Sequence, residues 1–326
     1  MRTSFKVLAL GAIACLSLTA CGSSPASSDG KSADAKSNSK KIILVSKGFQ
    51  HTFWQSVKKG ALEKGKELGY EVEFIGPKNE TAVTEQLDQL KNALNAKPAA
   101  IGLAALDSKA AEPILQQIKN AGIPVIAFDS GVDSDIPLTT VQTDNRTAGA
   151  KAAEKLAQLM GNKGTVGIVC HGQATTTGKG RCFGFQDWMK EHAPDIKLLQ
   201  EQWADERGKA ADAAKAIVKS NTDVTAMYGS NEVTAAGVLQ GVKEAGKMGQ
   251  ITIVGFDSGK AQIDAIKSGD EAGAITQAPV KMGAETVAAA DKAIKGESLE
   301  KIIDSGFAWY DKSNIDTPEI QSNIYE

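Results

Sequence analysis

Short apolar runs alternate with amphipathic stretches from Lys41 onward, and this alternation limits the possible folds of the chain more than any other feature. The segments IILVS (42–46) and IPVIAFD (123–129) are rich in β-branched residues and almost continuously apolar. Between them, segments such as TAVTEQLDQLKNALNAK (81–97) carry apolar residues three and four positions apart, as a helix with one buried face does. Apolar strands that alternate with helices predict parallel sheets covered by helices on both faces.

The same pattern starts again after Thr143. A helical segment, TAGAKAAEKLAQLMG (147–161), precedes four predicted strands, GTVGIVC (164–170), IKLLQEQ (196–202), VTAMYG (224–229) and ITIVGFD (251–257), with further helical segments between them. A folded body of roughly 290 residues exceeds the usual size of one hydrophobic core. The sequence therefore predicts an α/β fold with two lobes of similar size.

Polar residues follow the apolar runs at the points where the predicted strands end. They are Lys47, Asp129, Arg181, Asn231 and Asp257. Because ligands of parallel α/β sheets bind at the carboxyl ends of the strands, this placement predicts one shared cleft. Each residue taken singly also has a structural explanation, since an Asp after a strand is often a helix cap or part of a turn.

The loop CHGQATTTGKGRC (170–182) looks at first like a phosphate-binding loop of a nucleotide hydrolase. Five residues separate Gly172 from Gly178, where that motif has four, and Gly180 stands where it needs a Ser or Thr for the magnesium ion. Because Arg181 is one of the residues predicted to line the shared cleft, the loop is interpreted as a support for Arg181. Its glycines and threonines are expected to shape a turn, and Arg181 is expected to begin a helix that faces the cleft.

The N-terminus has the features of an export signal. Two basic residues precede an apolar run that is too short to span a bilayer, and small residues lead to Cys21. Leu-Thr-Ala-Cys (18–21) resembles a bacterial lipobox, so residues 1–20 are predicted to be a signal peptide and Cys21 to carry a lipid. An ordinary signal peptide with an incidental cysteine is the alternative. Residues 21–40 are polar and are predicted to be a disordered tether.

Charge and cysteine content narrow the functional classes. The whole chain has 37 basic and 39 acidic side chains. Without residues 1–20, which contain Arg2 and Lys6 and no acid, 35 face 39, a net charge of −4 that does not favour nucleic acid as a partner. In an exported protein, Cys170 and Cys182 either form a disulfide or remain free, partly buried thiols.

No motif indicates catalysis or a bound cofactor. The chain has no Gly-x-Ser-x-Gly nucleophile turn and no Gly-x-Gly-x-x-Gly after a strand, and its histidines and cysteines do not have the spacing of metal ligands. We therefore expect a binding protein rather than an enzyme, with no metal and no cofactor.

Several segments, in this order, resemble the ribose-binding family of periplasmic type I substrate-binding proteins. They are the strand–Phe-Trp–helix start, VIAFD, TDNRTAG, GRCFGF, YGSNE, IVGFDSG and AITQAPVKMGAE, and together they span about residues 41–310. The resemblance implies two Rossmann-like lobes that are joined by three hinge strands and close on a sugar. It divides the chain into 41–143 plus 278–306 for the first lobe and 144–277 plus 307–326 for the second.

The resemblance also implies a set of ligand-binding residues. They are Lys47, His51, Phe53, Trp54, Asp129, Asn145, Arg181, Asn231, Asp257 and Gln277. In this set Phe53 and Trp54 cover a sugar ring, and the polar residues bond to its hydroxyl groups. The alternative for the two aromatic residues is that they simply belong to the core. Ser130 departs from the pattern of ribose binders, which carry an arginine there.

The function that follows is a monomeric, lipid-anchored solute receptor outside the cell membrane, which binds a small sugar or polyol and delivers it to the permease of an ABC transporter. The alternative is a receptor of the same fold that senses a signal similar to autoinducer-2 and acts on a membrane sensor. A transcription regulator of related fold would need a helix-turn-helix where the export signal stands.

Overall fold

The computed structural model describes residues 40–48 and 51–325. The predicted signal peptide, the lipid anchor at Cys21 and all of the tether except Lys40 lie outside the described residues. Within the described part, no helix is both long enough and apolar enough to cross a bilayer.

Thirteen strands and ten helices make up the described part of the chain. The strands are Lys41–Val45 (β1), Glu71–Ile75 (β2), Ala100–Leu103 (β3), Val125–Phe128 (β4), Thr139–Gln142 (β5), Gly164–Cys170 (β6), Ile196–Leu198 (β7), Gln202–Trp203 (β8), Val224–Gly229 (β9), Thr252–Phe256 (β10), Gly273–Gln277 (β11), Ile302–Asp304 (β12) and Phe307–Tyr310 (β13). The helices are Thr52–Leu68 (α1), Val83–Asn95 (α2), Glu112–Asn120 (α3), Asn145–Leu159 (α4), Thr176–His192 (α5), Arg207–Ser220 (α6), Glu232–Glu244 (α7), Lys260–Ser268 (α8), Pro279–Lys295 (α9) and Pro318–Gln321 (α10).

The strands form two sheets, one in each lobe. The first has the order β12-β5-β4-β3-β1-β2 and is parallel throughout. The second has the order β13-β11-β10-β9-β6-β7, with β8 also paired to β6, and β13 is its antiparallel strand. Each sheet has a buried apolar cluster on both faces, as the continuous apolar runs require. The predicted two-lobed α/β fold is confirmed.

The chain passes between the two sheets three times, after β5, after β11 and between β12 and β13. One side chain links the three crossings: the hydroxyl of Thr143, in the first, lies 3.1 Å from Gln277 Oε1 and 3.2 Å from the carbonyl oxygen of Gly306. This hydroxyl therefore joins the three crossing segments at one point.

Two local expectations were wrong. The segment 196–202 is not one strand, because it breaks into β7 and the start of β8. Arg181 does not begin a helix: α5 begins at Thr176, and the hydroxyl of Thr175 caps it by accepting a hydrogen bond from the N–H of Gly178 (3.0 Å). The physical reason is that a threonine hydroxyl can satisfy a free N–H of the first turn, so the helix starts earlier in the loop.

Candidate ligand-binding site

Asp129 and Asp257 occupy equivalent positions in the two lobes. Asp129 directly follows β4 and Asp257 directly follows β10, and both have positive φ angles, 54° and 79°. The N–H of each donates to the neighbouring strand, to Val141 O (2.8 Å) and to Ile275 O (2.6 Å). The sheets therefore hold both residues in a conformation that non-glycine residues seldom adopt, a feature that is concentrated at functional sites.

In the first lobe, Asp129 forms an ion pair with Lys47, which lies two residues after the end of β1. Lys47 Nζ lies 2.9 Å from Asp129 Oδ2, and both side chains are buried. Burial lowers the pKa of Lys47, but the carboxylates of Asp129 and Glu80 outweigh burial and raise this pKa above its usual value. Lys47 is therefore a charged donor, and it also reaches Thr177 Oγ1 of the second lobe at 3.4 Å.

In the second lobe, Asp257 is held by several donors. It accepts hydrogen bonds from Gln277 Nε2 (2.6 Å) and from the N–H of Glu232 (3.0 Å), and its Oδ2 lies 3.5 Å from Arg181 Nη1. The N–H of Glu232 belongs to the first turn of α7, where free N–H groups favour a negative charge. Three contacts thus fix the carboxylate of Asp257: the amide of Gln277, the first turn of α7 and the guanidinium group of Arg181.

Arg181 is 2% exposed and is held through its Nε, its Nη1 and the face of its guanidinium group. Its Nε donates to Asn145 Oδ1 (2.8 Å), its Nη1 donates to Ser230 O (3.3 Å), and its guanidinium carbon lies 3.8 Å from the centre of the Phe256 ring. The predicted site residue Asn145 therefore orients Arg181. A planar guanidinium held on its edge and on its face is fixed in direction.

Close helix packing determines how far Arg181 reaches. Gly149 on α4 faces α5 so closely that a Cβ atom there would overlap the carbonyl oxygen of Arg181. Cys170, the last residue of β6, forms a disulfide with Cys182, the residue that follows Arg181 on α5. Glycine packing and the disulfide together fix this part of α5 against the sheet.

Phe53 and Trp54 lie mostly in the core of the first lobe, with 6% and 1% of their surface exposed. Their rings meet edge to face at 5.0 Å, and Trp54 also packs against Phe128. The Nε1–H of Trp54 donates to Glu80 Oε1 at 2.8 Å. Both rings nevertheless reach the wall of the cleft, so their core and ligand-facing interpretations are compatible.

Asn231 caps helix α7. Its Oδ1 accepts from the N–H of Thr234 (2.9 Å), and Thr234 Oγ1 accepts in return from the N–H of Asn231 (3.0 Å). The side-chain oxygen of Asn231 therefore serves as a helix cap, which is the structural alternative that the sequence offers for a residue at this position. Among the residues that the structure describes, none accepts a hydrogen bond from the amide Nδ2 of Asn231, and this residue lines the cleft, so the amide can donate to a ligand.

His51 of the first lobe meets Glu232 of the second, with Nδ1 3.5 Å from Oε2. Burial lowers the pKa of His51, but the contact with Glu232 and the charges of Glu80 and Asp257 raise it to about 9. His51 is therefore protonated at neutral pH. Burial, together with Arg181 and Lys47, holds the pKa of His171 well below its usual value, so that imidazole is neutral.

These side chains enclose a space of about 30 Å³ between the lobes. Nine of the ten predicted binding residues line it, and Asn145 contacts it through Arg181. A groove of about 810 Å³ adjoins this space, because Glu80, His171 and Glu232 line both. Within the described residues no group of His, Cys, Asp and Glu side chains has the arrangement of a metal site.

Residues 42–298 match the family model described as "Periplasmic binding protein domain". The chain belongs to this family. The ribose import binding protein of Haemophilus influenzae is 31% identical over 264 residues, which are 79% of this chain and 87% of that protein. The D-allose-binding periplasmic protein of Escherichia coli is 30% identical over 251 residues, which are 74% and 80% of the two chains.

Solved structures of periplasmic binding proteins superpose on the same part of the chain. An ABC transporter solute-binding protein from Agrobacterium vitis with bound α-D-tagatopyranose has a TM-score of 0.84 and 30% identity and covers 88% of this chain and 99% of its own. Another from the same organism, with bound D-fucose, has a TM-score of 0.82. The resemblance to ribose-binding type I proteins is confirmed, and so is the expectation of a non-enzymatic, exported binding protein.

Sequence reasoning missed three residues of the binding protein's cleft: Glu80, His171 and Glu232. His171 directly follows β6, so the strand-end rule that selected Asp129 could have found it. Glu232 directly follows Asn231 and begins α7. Glu80 had no such signal, because it lies in the loop after β2 and reaches the cleft through its bond to Trp54.

Proposed function

We propose that this periplasmic binding protein is a solute receptor that binds a small sugar or polyol between its lobes and delivers it to the permease of an ABC transporter. The buried carboxylates in the cleft carry the proposal. Asp129 Oδ2 and Glu232 Oε2 are buried, and each faces one cation, Lys47 at 2.9 Å and His51 at 3.5 Å, with no further donor among the described residues. Because a carboxylate oxygen can accept more than one hydrogen bond, a ligand rich in hydroxyl groups can supply further donors.

The proposed ligand residues are the ten that sequence analysis named, with Asp129 and Asp257 as acceptors and Lys47, Arg181, Asn231 and Gln277 as donors. Relatives and structural neighbours whose names record ribose, allose, fucose and tagatose support a sugar of this size. The lobes, proposed as 41–143 plus 278–306 and 144–277 plus 307–326, close as a monomer around the ligand. Bound by both lobes, the ligand favours the closed state through contacts that only that state provides.

We further propose that a lipid on Cys21 keeps the receptor at the outer face of the membrane. Expression of Cys21→Ser with labelled lipid tests the anchor, and incorporation of label into this variant would disprove it.

A thermal-shift screen of pentoses, hexoses, polyols and autoinducer-2 tests the function. We expect at least one sugar or polyol to raise the unfolding midpoint in proportion to the logarithm of its concentration. Stabilisation by autoinducer-2 alone would instead support a sensing receptor, and stabilisation by no compound would contradict the proposal.

A further inference from the structure

Charged side chains dominate the cleft between the lobes. Seven groups line its enclosed part: Lys47, His51, Glu80, Asp129, Arg181, Glu232 and Asp257. Three are cations, since His51 is protonated, and four are carboxyl groups. Burial raises the pKa of Asp129, but Lys47 at 2.9 Å opposes this effect and holds Asp129 as an ion pair, so one negative charge is in surplus. A neutral sugar would leave this surplus unchanged.

Six of the seven charges form ion pairs. Lys47 pairs with Asp129 at 2.9 Å, Arg181 pairs with Asp257 at 3.5 Å, and His51 pairs with Glu232 at 3.5 Å. Glu80 is the carboxylate of the lining that has no cation within 4 Å among the described residues. The surplus charge therefore has a definite place in the cleft.

Glu80 is held in position but not neutralised. Its Oε1 accepts from Trp54 Nε1 at 2.8 Å, which fixes the carboxylate against the first lobe. Burial raises the pKa of Glu80, but the positive charges of Lys47 and His51 outweigh burial and lower this pKa. The group is ionised at neutral pH, and a carboxylate with a single neutral donor has capacity for a further, charged donor.

The place of Glu80 is the junction between the enclosed space and the larger groove, because it lines both, as Glu232 does. The groove adds the acidic residues Asp205 and Glu206 and the basic residue Arg207 to its lining. The junction therefore has a carboxylate from each lobe, one cation, His51, which also lines both spaces, and an approach whose acidic residues outnumber its basic ones. Such a field attracts cations and repels anions.

We infer that the ligand carries a protonated amino group, as an amino sugar or an amino polyol does, and that this group binds beside Glu80 and Glu232 at the junction. The inference rests on the proposed function and narrows its ligand class. An ammonium group has three donors and no acceptor, so it can bond to Glu80 and at the same time share the carboxylate of Glu232 with His51, whose Nδ1 lies 3.5 Å from Glu232 Oε2. It also cancels the surplus charge of the lining.

The same charges disfavour acidic sugars. A sugar carboxylate or phosphate would add a second negative charge beside Glu80 and would have to take Lys47, His51 or Arg181 from an existing partner. Separating a buried pair leaves a carboxylate unpaired, which is costly. The selectivity series is therefore amino sugar above neutral sugar above sugar acid.

Calorimetry with matched sugars tests this series. D-Glucosamine, D-galactosamine and D-mannosamine are each compared with the neutral parent hexose, the N-acetyl derivative and the corresponding uronate, at a pH where the amines are protonated. We expect at least one amine to bind tenfold or more tighter than its parent, and both its N-acetyl form and its uronate to bind more weakly than the amine.

The variant Glu80→Gln locates the effect. Its amide oxygen can still accept from Trp54, so the fold is preserved while the charge is removed. We expect affinity for the amine to fall at least tenfold and affinity for the neutral parent to change less than threefold. Glu63→Gln, which removes an exposed carboxylate from α1, is the matched control and should change neither.

The outcomes separate the inference from the proposed function. If a neutral pentose, hexose or polyol binds as tightly as the best amine, or if Glu80→Gln weakens amine and parent equally, the inference is wrong and the sugar receptor stands. If no compound of this panel and none of the sugars and polyols in the thermal-shift screen binds, the proposed function is wrong as well, and the inference with it.

Discussion

The two lobes each contribute one buried cation and one buried aspartate to the cleft, but they hold them differently. Arg181 has Asn145, Ser230, Asp257 and the Phe256 ring as neighbours. Lys47 has Asp129 in its own lobe, lies at the longer distance of 5.8 Å from the centre of the Trp54 ring, and reaches across the cleft to Thr177.

This difference indicates that the two lobes contribute to ligand binding in different ways. A guanidinium held on several sides keeps its direction before the ligand arrives, so little freedom is lost on binding. An ammonium group on a flexible stem can turn its donors to suit the ligand. We therefore regard the second lobe as the preorganised half of the site and the first lobe as the adaptable half.

The largest expected effect comes from removing the two aspartates in turn. Asp257→Ala should weaken sugar binding by about 2 kcal/mol or more, because a charge-assisted bond is lost and Arg181 cannot shed its buried charge. Asp129→Ala should cost less, since Lys47 can lose its proton when its partner is gone. Calorimetry on both variants, with circular dichroism to verify folding, measures the difference. An equal or greater loss in Asp129→Ala would refute the division between the lobes.

Asp129 and Asp257 were predictable because a position at the end of a parallel strand fixes the direction of a residue. The chain order of apolar runs locates such ends without knowledge of packing, and the same reasoning could have included His171. The fold was predictable for the same reason, since continuous apolar runs have to be buried on both faces.

Glu80 and the starting point of α5 were not predictable in this way. Glu80 enters the cleft because Trp54 turns its indole N–H toward the loop after β2, and that contact depends on the packing of α1. The start of α5 depends on whether a hydroxyl of the threonine run caps it, and three consecutive threonines offer three choices. Contacts between segments distant in sequence decide both.

The next prediction concerns the close packing of α4 against α5 that supports Arg181. Gly149→Ala should push α5 away from α4, lower the stability by about 1–3 kcal/mol and weaken sugar binding. Chemical unfolding and calorimetry measure the two effects. Gly208→Ala, in the open first turn of α6, is the stability control and should not destabilise the fold. Unchanged affinity in a destabilised Gly149→Ala would show that Arg181 does not depend on this contact.

A buried acid gives the second lobe a pH-dependent stability of its own. Burial raises the pKa of Glu271 to about 8 from 4.5, so between these values the unfolded chain ionises this carboxyl while the folded protein keeps it protonated. Stability should therefore fall as pH rises from about 4.5 to 8. Glu271→Gln should remove this dependence and stabilise the protein by about 1–3 kcal/mol near pH 8 and less near pH 5. A constant difference between the two proteins at all pH values would exclude the buried acid as its source.

The smallest expected effect concerns the pair that spans the two lobes. Because the pKa of His51 is raised to about 9 from 6.5, its charge stabilises the folded state fully below pH 6.5, and this contribution is lost as pH rises through 9. His51→Gln should therefore be less stable than the parent near pH 6, by about 1 kcal/mol or less for a partly exposed pair. Unfolding midpoints of the two proteins should converge toward pH 10. A difference that persists there would have another cause.

Calorimetry on two variants of α5 tests most directly whether a fixed arginine holds the ligand in the cleft. The ligand used is the sugar that stabilises the protein most. Arg181→Ala should lower affinity tenfold or more, about 1.4 kcal/mol, and should reduce the ligand-induced compaction seen by small-angle scattering. Lys179→Ala, two residues away on the same helix, should have little effect. If Lys179→Ala abolishes binding and Arg181→Ala does not, Arg181 is not the donor from the second lobe, and the account of this site is wrong.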